Sequence, residues 1–158
     1  MFRDIVRKKN EITRGECIEI LKHELRGVLA VNGDGGYPYC MPMNHYYCEE
    51  DGMIYFHGGK TGHKIDSLKA DDRVCFCVHD EGVHEDGNWA LTVRSVVVFG
   101  RVHFIDDYEY AMDIARKLSR KFTDDTGLTE EEIRKSGKST LCFAIEPEHI
   151  SGKRVKEQ

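Results

Sequence analysis

The stretch "FHGGKTGHKID", residues 56–66, carries the residue types best suited to chemistry. His57, Lys60, His63 and Lys64 are cationic or proton-carrying, and Gly58, Gly59 and Gly62 let the backbone approach a ligand closely. The apolar run before it, "GMIYF", reads as a strand, and "GHKIDSL" reads as the start of a helix. A glycine-rich bridge into a helix offers unpaired N–H groups at the positive end of the helix dipole, and both favour an anion such as a phosphate. Lysine and histidine at the same point add charge-assisted donors. The spacing is not G-x-x-x-x-G-K-[ST], so a nucleoside triphosphate loop is not implied. The competing reading is a solvated basic turn, and these residues alone balance the two.

A second stretch, "YPYCMPMNH" at residues 37–45, sets two prolines among aromatic and polarisable side chains. Proline donates no ladder hydrogen bond, so this strand belongs at a sheet edge or at a bulge. Its unpaired backbone groups suit a planar heteroaromatic ligand; the plainer reading is an edge protected by proline. Cys75 and Cys77, in "RVCFCVH", share one face of a strand. Zinc sites use more widely spaced cysteine pairs, and no second pair is present among the six cysteines. We read both as small core residues, with no metal site and no disulfide.

The elements that must position these residues follow from local patterns. "TRGE" at 13–16 is a capping box that opens a helix to about Arg26, with Leu25 in its apolar stripe. "GVLAVN" is a buried strand ending at "NGDGG". "YPYCMPMNHYYCEEDGMIYFH" reads as a hairpin turning at "EEDG". A short helix over 61–70 precedes the strand "RVCFCVH", and "WALTVRSVVVFGRVHFI" is a long strand bent at Gly100. Asp106 is expected to cap a helix with Tyr110, Ile114 and Leu118 on its apolar side, and a further helix starts at Thr129. "STLCFAIEPEHI" closes as a strand.

Six strands that are mostly neighbours in sequence favour an antiparallel sheet, and so many in 158 residues favour closure into a barrel. The expectation is one domain over 1–158, mainly β with a few α-helices. The formal net charge of −5 argues against a nucleic-acid-binding face. No run approaches the roughly 18 apolar residues of a membrane span. "MFRDIVRKKNEIT" has no apolar signal core, so a cytoplasmic protein is expected.

Taken in order, "VRKKNEIT", "GVLAV", "GYPYCMPMNHYY", "IYFHGGKTGHKIDSL", "RVCFCV", "RSVVVFGRV" and "FAIEPEHISGK" resemble the FMN-binding split-barrel family that includes pyridoxamine 5'-phosphate oxidase. The similarity is greatest to its 5-nitroimidazole antibiotic resistance branch. This resemblance implies a six-stranded antiparallel split β-barrel and a homodimer with FMN at the subunit interface. The backbone of Met41, Pro42, Met43 and Asn44 would face the flavin ring. His57 would lie near the ring or the ribityl chain, where it is also the candidate for proton transfer. Thr61, His63 and Lys64 would surround the phosphate, and Ser95 would reach the flavin from a nearby strand. The oxidase has an Arg-Lys pair at the phosphate where this chain has His63–Lys64, and "ISGKRVKEQ" lacks the oxidase's substrate-binding tail. The activity implied is an NAD(P)H-dependent oxidoreductase of nitroreductase type. Two other classes stay open: a non-catalytic FMN-binding or redox-sensing module, and a relative that uses haem or a deazaflavin.

Overall fold

The computed structural model describes residues 1–156. Its sheet contains eight strands: β1 (Arg26–Asn32), β2 (Pro38–Asn44), β3 (Tyr46–Tyr47), β4 (Ile54–Gly59), β5 (Arg73–His79), β6 (Val83–His84), β7 (Leu91–Ile105) and β8 (Thr140–Lys156). The α-helices are α1 (Arg14–His23), α2 (His63–Ala70), α3 (Tyr108–Ser119) and α4 (Thr126–Ser136). Six of the strands are those expected from alternation; β3 and β6 are only two residues long, too short to show a period.

All pairings are antiparallel, in the order β2-β1-β5-β7-β8-β4-β3, with β6 against β7. The first and last strands of that order, β2 and β3, are consecutive in the chain, with only His45 between them. A sheet whose two ends are joined by one residue cannot lie flat. It curls until the ends meet, and the result is a split barrel. The expected hairpin does turn at "EEDG", but its first arm is only β3, with Tyr46 and Tyr47 opposite Tyr55 and Ile54; the earlier part of that arm, β2, is not beside β4. β2 pairs with β1 along its whole length, from Asn32↔Pro38 to Arg26↔Asn44, and β3 takes the place beside β4. The nearer partner wins because residues 33–37 already close a tight turn, in which the Gly33 N–H donates to the Tyr37 carbonyl at 2.9 Å. Among the described residues the other edge of β2 has no strand partner, and there its prolines cost the sheet nothing.

Inward-facing residues of the curled sheet build the main core: Leu29, Phe56, Phe76, Val98 and Phe143 meet Ile20 and Leu21 of α1. Phe56 stacks on Phe143 and meets Phe76 edge-on, both with ring centres 5.1 Å apart. Cys75 and Cys77 do not join this core. Alternation gives β5's inner face to the bulkier Val74, Phe76 and Val78, and leaves the two thiols half-buried on the outer face. On that outer side, further round the barrel, α3 packs Ala111, Met112 and Ile114 over Tyr55, Cys142 and Ala144.

Local signals held with small shifts. The Thr13–Glu16 capping box is formed, but α1 ends at His23, so Leu25 leaves the apolar stripe and is exposed. Asp107, not Asp106, caps α3, because its side chain is the one that reaches the Tyr110 N–H, at 2.7 Å. Tyr110 is therefore on the first turn and exposed, with its hydroxyl 2.6 Å from that of Tyr55. The last helix starts at Thr126, not Thr129, because Asp125 accepts from the Leu128 N–H. At Gly100, where a bend was expected, the register against β8 shifts by one residue, Glu148 of β8 being left over, and a side chain would strike the Glu146 carbonyl.

His45, the residue that joins the sheet's ends, is fully buried. Its Nε2–H donates to the Leu21 carbonyl at 2.8 Å, and its ring meets Phe76 edge-on at 5.0 Å. Lys121 Nζ donates to the carbonyls of His45, at 2.9 Å, and Glu24, at 2.7 Å. Burial, and then the Lys121 charge, lower the His45 pKa to about 3. Its Nδ1 is buried without a partner, so a proton added there would find no acceptor. The unfolded chain takes up that proton near pH 6.5, and the folded chain only near pH 3. Stability is therefore expected to fall as pH drops between those values, by at most about 1.4 kcal/mol per unit from this group. Urea midpoints at pH 7 and pH 4.5 test this: His45→Gln, which keeps a donor for Leu21, should lose less on acidification than the parent. Equal losses would count against it.

Candidate functional site

The strand-to-helix bridge expected to bind an anion is formed by the end of β4, residues 60–62 and the start of α2. Gly62 takes φ of 115° at the N-cap, a conformation that side-chain-bearing residues rarely adopt, and no side chain caps the helix. The first-turn N–H groups are left without a capping acceptor. Lys64, on that first turn, turns back towards the sheet. Its Nζ lies 3.4 Å from Met43 Sδ and 5.8 Å from the centre of the Phe143 ring. Gly58 makes room for it: a Cβ there would sit 3.1 Å from Nζ. Among the described residues no carboxylate pairs with this half-buried ammonium, and burial pushes its pKa down. A lysine without a carboxylate partner on the first turn of an uncapped helix is the kind of donor set that favours an anion.

The structure brings several of the expected residues together here. Met41 and Met43 point inward from β2, and Pro42 and Asn44 point outward, so only backbone faces the open edge. Asn44 Oδ1 accepts from Arg26 Nε at 2.8 Å. Thr61 is exposed in the bridge. His63 stacks on Tyr39, with ring centres 4.1 Å apart and 15° between planes, and its Nε2 is 3.5 Å from Asp34. Tyr39 and Asp34 were not singled out in the sequence; they meet His63 only because the 33–37 turn folds over α2, which no local pattern records.

Two expected residues stand elsewhere. His57 is on the opposite face of β4 from Gly58, and helps line a cavity of about 110 Å3 with Met112, Ser119, Glu132 and Ser136 of α3 and α4. The surrounding protein, and then the Lys64 charge, lower its pKa. Ser95 lies between His79 and Lys153 in the same cross-strand row as Asn44, three strands away from it. At normal strand spacing that is roughly 14 Å. On the outer face Val28 of β1 and Phe99 of β7 are 43% and 38% exposed.

A split barrel with a carboxylate-free ammonium on the first turn of an uncapped helix has the donors that an anionic ligand needs. Residues 13–154 match the family model described as pyridoxamine 5'-phosphate oxidase, and the chain belongs to that family. Among solved structures, a protein described as a 5-nitroimidazole antibiotic resistance protein, from Bacteroides thetaiotaomicron, is 21% identical with a TM-score of 0.76. That match covers 93% of this chain and 87% of the other. A conserved hypothetical protein from Mycobacterium tuberculosis matches at 18% identity and a TM-score of 0.79, over 95% of this chain and 90% of the other. An FAD-binding protein from Mesorhizobium loti matches at 25% identity and a TM-score of 0.65, over 92% and 96%. No curated protein sequence matches the chain.

If Lys64 waits for an anion, its titration should respond to one. In a sample with labelled lysines, the Lys64 pKa should lie below 10.5 and rise when inorganic phosphate is added, because the anion stabilises the charged form. A pKa indifferent to phosphate would remove the cradle.

Proposed function

We propose that the chain is an FMN-binding flavoprotein acting as an NAD(P)H-dependent oxidoreductase, with electron-accepting substrates of the nitroimidazole kind. The observation that carries this reading is the Lys64 ammonium, without a carboxylate partner among the described residues, at the uncapped start of α2 and facing Met43 of the edge strand β2. The family match and an FAD-binding structural neighbour support a flavin as the ligand.

The residues fit such a cofactor. Lys64 and the first-turn amides would hold the phosphate dianion, with Thr61 and His63 beside them. The open backbone edge at Met41, Pro42, Met43 and Asn44 would meet the polar rim of the ring. Bound there, FMN supplies hydride and electron transfer. The chain's own part is to orient the ring along β2 and to compensate the phosphate charge. Gly58 and Gly59 keep the approach to Lys64 clear. For His57, the cavity it lines on the far face of β4 argues against direct contact with a ligand at Lys64.

The same reading makes the protein a cytoplasmic homodimer. Ser95 lies on β7, three strands from Asn44 at the open edge, and the exposed Val28 and Phe99 offer a second copy an apolar surface. The partner would then bring its own outer face, including Ser95, towards this chain's ligand. A non-catalytic flavin module and a haem or deazaflavin relative are the other readings of the same cradle. The visible spectrum of the purified protein separates the cofactors, and NAD(P)H consumption separates enzyme from module.

Each charge-assisted bond contributes on the order of 1.5–3 kcal/mol. Lys64→Ala should therefore weaken FMN by roughly ten- to a hundredfold, at about 1.4 kcal/mol per decade. Riboflavin, which has no phosphate, should bind weakly and barely register the substitution. Dissociation constants of both ligands for both proteins decide it: equal losses would move Lys64 to the ring or the fold. Light scattering during the titration tests the dimer, and a monomer with full FMN affinity would exclude a two-chain site.

A further inference from the structure

The cavity of about 110 Å3 that His57 helps to line lies between β4 and the helices α3 and α4. None of Val28, Ser95 and Phe99, the face offered to a second copy, lines it. Met112 and Ala115, both buried, give it apolar surface, while His57 and Glu132 are exposed at its edge. Gly137 lets the end of α4 come down onto α3: a Cβ there would lie 2.9 Å from Met112 Sδ and 2.8 Å from the Tyr108 hydroxyl oxygen.

The polar groups around this cavity are mostly acceptors. Ser136 Oγ–H donates to Glu132 Oε1 at 2.9 Å, Thr140 Oγ1–H to the Ser136 carbonyl at 3.0 Å, and Thr129 Oγ1–H to the Asp125 carbonyl at 3.2 Å. Carboxylates and carbonyls only accept, so these three hydroxyl protons are spent inside the protein and the oxygens keep lone pairs. The surrounding protein, and then the Lys64 charge, keep His57 neutral at pH 7, so its ring adds a lone pair beside its single N–H. Glu132 is the one carboxylate that lines the cavity, and no lysine or arginine lines it. Its two neighbours each have a cation: Glu130 is paired with Arg116, and Glu131 with Lys135 at 2.6 Å. Among the described residues Glu132 is paired with none.

We propose that this cavity is a second binding site, for a short primary alkylammonium. An ammonium brings three N–H donors, no acceptor and one positive charge, which is the complement of a single carboxylate among hydroxyl oxygens. Met112, Ala115 and Ile133 cover the alkyl chain. The volume is roughly that of four molecules of liquid water, which limits the chain to a few carbons. An alcohol of the same length lacks the charge, and a quaternary ammonium lacks the donors.

The probe is butylammonium, with butanol as the neutral control and tetramethylammonium as a cation without N–H donors. Each is titrated by NMR into the parent, Glu132→Gln, Ser119→Leu and Lys64→Ala proteins. Butylammonium should perturb the methyl groups of Met112 and Ala115. The two controls should bind the parent at least about tenfold more weakly, and Glu132→Gln should weaken butylammonium by about tenfold, because it removes the charge and keeps the shape. Ser119→Leu, which fills the cavity from α3, should abolish binding. Lys64→Ala should not weaken it, so this result stands apart from the cofactor site. Equal affinity for the three probes, perturbations centred elsewhere, an unaltered affinity in Glu132→Gln or no binding to the parent would overturn the proposal.

Discussion

The single-residue join at His45 is the constraint on which the rest of the barrel depends. β2 and β3 lie at opposite ends of the strand order, yet no loop separates them. The curl of the sheet, the open edge of β2 and the proximity of α2 to that edge all follow. The join is held by polar contacts around a fully buried residue: an imidazole N–H on the Leu21 carbonyl, and the Lys121 ammonium shared by two backbone oxygens. Buried groups of this kind fix one arrangement because any other leaves them unpaired.

Lys64 and Lys121 show the same side chain under opposite terms. Burial lowers the pKa of both, that of Lys121 to about 8. Lys121 spends its donors on two carbonyls and so holds the chain together. Among the described residues, Lys64 has a thioether and an aromatic face near its charge, both weak partners. An ammonium closed off by the fold is structural; one left facing an open strand edge has capacity to spare. That difference, rather than the number of basic residues in "GGKTGHK", separates a ligand cradle from a solvated turn.

Much of this was legible from local sequence. The Thr13 capping box, the edge position of the two-proline strand and the irregularity at Gly100 each depend on a few neighbouring residues, and each is present. The strand-to-helix bridge was legible for the same reason. What was not legible depends on register between distant segments. Whether His57 faces Lys64 or α3 is decided by which face of β4 the barrel turns inward. The meeting of Tyr39 and Asp34 with His63 needs the 33–37 turn to lie over α2. The mistaken partner for β2 came from treating a hairpin-like pattern as sufficient, when a shorter loop offered β1 first.

The central role of β8 also bears on how the chain reaches this state. β1 and β2 meet across a five-residue turn, 33–37, and can pair as soon as they are made. β7 and β8 must wait for two intervening helices. β4 and β8 pair Ile54 with Ile145, across more than half the chain, and that ladder brings Phe56 onto Phe143. Closing so long a loop costs chain entropy before any contact repays it, which places this step late in assembly. The side of the barrel against which Lys64 rests is thus the strand ladder joined across the greatest sequence distance, and until it closes, the lysine has no wall to face.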